Sequence, residues 1–112
     1  MAAEGILGDI KRSRPQHVTA KQIIDKTARY YNIDVKDMCS SRRDKFIATP
    51  RQIAMFLLRS ELKMSFPKIA QELGRKDHTT AMHSIEKITK ESLTSVSIRE
   101  QINDIKDKLY AH

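Results

Sequence analysis

Apolar residues recur along this chain at intervals of three and four, and no run alternates with a period of two. That pattern predicts helix and no strand. In TAKQIIDKTARYYNI, Thr19 and Gln22 form a capping box, and Ile23, Ile24, Ala28 and Tyr31 share one apolar face, with Asn32 as the stop. DVKDMCSS repeats the cap signal at Asp34 and predicts a short helix. SRRDKFIATP reads as a basic loop. In TPRQIAMFLLRSEL, Thr49 is the predicted cap, Pro50 the first helical residue and Gln52 the closing partner of the box. Ile53, Ala54, Leu57, Leu58 and Leu62 form the stripe to be buried. SFPKIAQELG starts with Ser65 as cap and Pro67 in the first turn, places Phe66, Ile69, Ala70 and Leu73 on one face, and ends on Gly74. From Asp77 a helix runs to about Lys90, with Ala81, Ile85 and Ile88 inward and Met82 beside them. In SIREQINDIKDKLYAH, Ser97 and Glu100 make the predicted box, and Ile98, Ile102, Ile105 and Leu109 face inward.

The expected fold is therefore all-α, a compact multi-helix domain. A short helix, a tight turn with Gly74 and a second helix predict a helix-turn-helix over residues 65–90. Residues 1–17 are mostly polar and hold Pro15, which reads as a lead-in, with GILGDI as the end of a preceding module. The helical domain is expected over residues 18–112.

Charge sharpens this picture. The 112 residues carry a net charge of +7, and residues 42–90 hold eleven cations and five acids, so six of the seven net charges fall beside the helix-turn-helix. A basic surface there favours an anionic partner, most simply nucleic acid, although a solvated charged face has the same composition. The single cysteine, Cys39, permits no internal disulfide and fits a reducing cytoplasm. No apolar run reaches the ~18 residues of a membrane span. A Gly-rich phosphate loop is missing, and no nucleophile stands at useful spacing from a base, so an enzyme is not expected.

LGRKDHTTAMHS carries the candidate chemistry. On a helical wheel Thr79, Thr80, His83, Glu86, Lys87 and Lys90 lie outward, with Asp77 and His78 at the leading end, the end that a helix-turn-helix points into the major groove. A carboxylate accepts from the cytosine amino group, threonine offers a hydroxyl and a methyl, and histidine donates or accepts. Asp77 is equally suited to capping the helix, and the threonines to plain polar surface. Metal binding by Asp77, His78 and His83 is disfavoured, because the two histidines sit about 140° apart around the helix. Arg42 to Lys45 suit a basic arm, Arg51 and Gln52 a phosphate at a helix start, and Phe66 with Pro67 a helix start alone. Lys87 is plain surface unless the helix lies on DNA.

GRKDHTTAMHSIEKI resembles the signature of the C-terminal, DNA-binding domain of the bacterial replication initiator family DnaA, whose pattern runs Gly-Gly-Arg-Asp-His-Thr-Thr-Val. TPRQIAMFLLRSEL, SFPKIAQELG and HVTAKQIIDKTARYYNIDVKDMCSSRR are similar to that family's other helices and basic loop, and the likeness covers residues 18–110. It implies sequence-specific binding to double-stranded DnaA-box sites at a replication origin, in the bacterial cytoplasm and nucleoid; a monomer is expected because no large apolar face is left unassigned. It further implies base contacts from Asp77, His78 and Thr79, thymine-methyl contacts from Pro67 and Phe66, and a minor-groove Arg43. Lys45, Arg51, Gln52, Lys76, Thr80, His83 and Lys87 would hold the backbone. ATP would belong to a separate ATPase module, and replication regulatory proteins are further implied partners. Arg75 stands where the family has Gly, and Lys76 where it has Arg, which keeps charge but not bidentate geometry. The alternatives are a docking module for replication regulators and a sequence-blind basic DNA binder.

Overall fold

A computed structural model describes residues 18–41 and 44–110 of the chain. Among them all regular structure is helical, in six elements: α1 (Ala20–Tyr30), α2 (Val35–Met38), α3 (Lys45–Leu62), α4 (Phe66–Glu72), α5 (His78–Thr94) and α6 (Val96–Leu109). The all-α expectation holds. Residues 1–17, read as a lead-in, lie outside the described residues, as do Arg42 and Arg43.

α3 is the central helix. It packs on α1, α2, α4 and α5, while α6 closes the assembly against α1 and α5. The predicted stripes converge: Ile23 and Ala28 of α1, Leu57 and Leu58 of α3, Ile69 of α4, Ile88 of α5 and Ile105 of α6 share one core. Each such aliphatic, once fully buried, contributes roughly 1.5–3 kcal/mol. Polar ties finish the joints of α6. The Tyr31 hydroxyl donates to Gln101 Oε1 at 2.7 Å, and the Tyr110 hydroxyl donates to Glu61 Oε1 at 2.6 Å. Burial alone would raise the Glu61 carboxyl, but the Tyr110 hydroxyl and the Lys106 ammonium at 3.6 Å hold it below the ordinary value.

The start of α1 follows the sequence. Thr19 and Gln22 exchange the two bonds of a capping box. Its end is a left-handed Asn32 (φ 58°), where the Ile33 amide reaches Ala28 O at 2.9 Å and the Asn32 amide reaches Arg29 O at 3.1 Å. Those two bonds satisfy carbonyls that the helix leaves open.

α3 departs from expectation. It begins at Lys45 rather than at Pro50, so Thr49 is not its cap and Pro50 lies inside it. The added turn is held by the Ile47 and Ala48 amides on Asp44 O, and it carries Ile47, 1% exposed, into the interior. Burying one large aliphatic outweighs the backbone bond that a proline cannot make. Consequently Arg51 and Gln52 sit in the second turn, with no free helix amides beside them, and Lys45 belongs to a helix instead of a loop.

Two further expectations are corrected. Met82 lies beside the inner face in the sequence but is 39% exposed, because the buried arc of α5 is centred on Ala81 and Ile88 and extends to Ser84 on the flank away from Met82. The cap of α6 is Ser95, whose hydroxyl accepts from the Ile98 amide at 3.2 Å; Ser97 only accepts from Gln101 Nε2. α5 runs four residues past Lys90, to Thr94, so Ser95 closes one helix and opens the next. Ser95→Ala is therefore expected to lower stability by ~1 kcal/mol and Ser97→Ala by almost nothing. Equal effects in urea unfolding would contradict this assignment.

Candidate nucleic-acid interface

The helix pair α4–α5 is joined by a turn that uses each residue for a different purpose. Ser65 caps α4, accepting from the Lys68 amide, and Pro67 occupies the first turn, where a missing N–H costs nothing. At its other end the Arg75 amide bonds Ala70 O at 2.7 Å and the Gly74 amide bonds Gln71 O at 3.1 Å. Gly74 takes φ +73°, and a Cβ there would stand 2.7 Å from the Cys39 carbonyl oxygen. Only glycine meets both demands. The turn thus packs directly on the chain leaving α2, the root of the basic segment.

Asp77 is the N-cap of α5. The Thr79 amide donates to its Oδ1 at 2.9 Å, and the Thr79 hydroxyl donates to the same oxygen. These two bonds, hydroxyl first, hold the carboxyl below the ordinary value, and the nearby His78 and His83 lower it further. Oδ2 takes part in neither bond, and the side chain is fully solvent-accessible. One oxygen starts the helix and the other is turned to no cap. His78, Thr79, Thr80, Met82, His83, Glu86, Lys87 and Lys90 are all exposed along α5, as the wheel predicts except for Met82.

On one flank of α5 the surface is recessed. A cleft of ≈ 340 Å³ is lined by Ser41, Arg51, Gln52, Arg75, Thr80 and Ser84. It brings together the end of the α2 segment, the second turn of α3, the helix-turn-helix turn and the first turns of α5. Beside it the Lys87 ammonium reaches Gln52 Oε1 at 3.3 Å and Glu91 at 3.5 Å. Arg51 is 7% exposed and donates Nε to Met38 O at 2.7 Å and Nη2 to Ser40 O at 2.9 Å. Burial, then the charge of Arg75, lower its pKa from the usual guanidinium value. A buried cation next to a second cation favours an anion in the cleft.

The remaining predicted site residues are placed as follows. Lys76 is exposed in the turn and Pro67 is exposed at the start of α4. Phe66 is half-buried, with the Arg59 guanidinium 4.4 Å above its ring, a cation–π contact that covers one face. Lys45 is exposed at the start of α3, beside Phe46, Tyr31 and Pro50. Arg43 lies outside the described residues. Sequence reasoning missed the cleft's Arg75, Ser41 and Ser84. Arg75 was visible as a cation beside the motif, but only the turn's hydrogen bonds aim it, and Ser84 is hidden in the inward period of α5. Among the described residues no group of three or more His, Cys, Asp or Glu could hold a metal ion, and no helix is long and apolar enough to cross a membrane.

A capped seven-residue helix, a left-handed glycine turn and a seventeen-residue helix with an exposed polar face define a helix-turn-helix domain. The family model described as "Bacterial dnaA protein helix-turn-helix" matches residues 20–88. The chain belongs to this DnaA family, through its helix-turn-helix domain. It is 43% identical over 103 residues to the chromosomal replication initiator protein DnaA of Caldanaerobacter subterraneus subsp. tengcongensis, covering 92% of this chain and 23% of that protein. A crystal structure of a DNA replication initiation factor superposes with a TM-score of 0.72 at 31% identity, over 80% of this chain and 27% of the other. The chain thus spans about a quarter of the length of these relatives.

Proposed function

We propose that residues 18–112 form the unit that binds double-stranded DNA at DnaA boxes of a replication origin, with α5 in the major groove and the basic segment before α3 in the minor groove. The observation that carries this reading is Asp77. Its Oδ1 accepts both Thr79 donors while Oδ2 stays exposed at the leading end of α5. An acid amid cations weakens binding to phosphate, so its benefit lies in choosing bases. Oδ2 accepts from a cytosine amino group, and His78 and Thr79 read neighbouring bases. Pro67 and the open part of Phe66 meet thymine methyls. Arg43 enters the minor groove. Lys45, Arg51, Gln52, Lys76, Thr80, His83 and Lys87 hold the backbone. No cofactor is needed for this step, and one domain binds one box.

Fluorescence anisotropy with a DnaA-box duplex and a scrambled duplex tests the reading. The expected preference is at least ~100-fold. Four cationic phosphate contacts, Lys45, Arg51, Lys76 and Lys87, predict a log–log salt slope of roughly −3.6. Equal affinity for both duplexes would leave a sequence-blind basic domain. Binding to neither would favour a surface docked by replication regulatory proteins.

A further inference from the structure

The cleft between α3 and α5 contains a residue that the reading above leaves without a task. Arg75 lines it opposite Arg51, and the other lining groups are the Gln52 amide and the hydroxyls of Ser41, Thr80 and Ser84. None of the described residues lining it is an acid. We propose that Arg75 and Arg51 together seat one DNA backbone phosphate, so that the helix-turn-helix turn itself contributes a backbone contact. This rests on the proposed DNA-binding function.

Three observations carry it. First, Arg51 is fixed in orientation, because Nε and Nη2 are already spent on the Met38 and Ser40 carbonyls at 2.7 and 2.9 Å. The guanidinium is therefore held in place where it lines the cleft. Second, Arg75 is fixed at its root by its amide bond to Ala70 O, and the turn cannot swing away because Gly74 abuts Cys39. Third, the cleft lies on the flank of α5 that carries Thr80 and Lys87. A helix lying in the major groove places its ends and bases-facing side deep in the groove and its flanks against the sugar–phosphate walls. A phosphate offers two non-bridging oxygens, which suits two guanidiniums with hydroxyl donors beside them.

The test is Arg75→Gln, which keeps the backbone bond of the turn and removes the charge. Anisotropy titrations on the box duplex at a series of salt concentrations should show about a tenfold loss of affinity with a nearly unchanged salt slope, because Arg51 still neutralises the shared phosphate. The preference for the box over the scrambled duplex should be unchanged, because a phosphate contact carries no sequence. A scan of duplexes with single methylphosphonates should find one position that weakens the wild-type domain clearly more than it weakens Arg75→Gln, while the other positions weaken both alike. The thermal midpoint of Arg75→Gln without DNA should equal or exceed that of wild type, and Arg75→Lys should recover only part of the affinity. Wild-type affinity in Arg75→Gln would overturn the proposal. So would an equal loss at every neutralised phosphate, which would mean diffuse charge and no seat. Failure of the wild-type domain to bind either duplex would instead overturn the function on which the seat rests.

Discussion

Replacing Asp77 by Asn leaves α5 intact and lowers the preference for a box duplex by roughly ten- to a hundredfold, the range that one good base contact supplies. Asparagine caps a helix as well as aspartate does, and its Oδ1 can keep accepting from Thr79. The second position changes from an acceptor to an NH₂ donor, so the cytosine amino group that Oδ2 would receive meets another donor. Affinity for scrambled DNA should rise at the same time, since a negative charge leaves a surface that faces phosphates. Paired titrations on box and scrambled duplexes, with a far-ultraviolet melt of the variant, check both halves. An unchanged preference would reduce Asp77 to a cap. The acid end of the pH scale supplies a further sign. The folded carboxyl lies below its ordinary value, so its stabilising contribution is complete above the unfolded pKa and disappears only as pH falls through the lowered one. Near neutrality Asp77 is ionised and the cap is fully formed.

Gly74→Ala is expected to cost roughly 2–4 kcal/mol, from the left-handed backbone and from the contact that a Cβ would make with the Cys39 carbonyl. For a domain of this size that lowers the thermal midpoint by about 10–20 °C. Neither partner can yield easily: the oxygen is backbone, and the segment it belongs to is held by Arg51. Binding should suffer beyond the loss of stability, because relieving the contact would separate the turn from the chain leaving α2. Differential scanning calorimetry of the variant gives the first quantity, and box affinity measured well below its midpoint gives the second. A shift of under about 3 °C would mean that the Cys39 segment moves freely and that the close approach is not a constraint.

Much of this architecture was legible in the residues. Thr19 with Gln22, Ser65 with Pro67, Gly74 and Asp77 each announce a helix end by local chemistry, and each is found there. The errors share one cause, a local signal overruled by burial elsewhere. Thr-Pro at positions 49 and 50 is a sound start signal, yet Ile47 draws one more turn into the fold. Ser97 with Glu100 satisfies a capping pattern, yet Ser95 lies nearer the point where α5 must end. The leading end of α5 was readable because an N-cap and a reading position coincide in Asp77. The cleft was not, because its residues come from four separate segments that only the packed structure brings together.

The contact of Gly74 with the Cys39 carbonyl has a consequence for what kind of site this domain can accept. The turn before α5 and the chain leaving α2 as far as Ser40 are spaced by a rigid strut, not joined by a tether. A tether would let one part stay seated while the other searched, and would tolerate sites of unequal length. A strut works as a caliper set to one opening. Adding a base pair between the two halves of a site displaces them by about 3.4 Å along the duplex, more than packed backbone can follow. Such a site would forfeit one whole set of contacts at a stroke, whereas a single wrong base forfeits only its own. A recogniser of this build measures length before it spells.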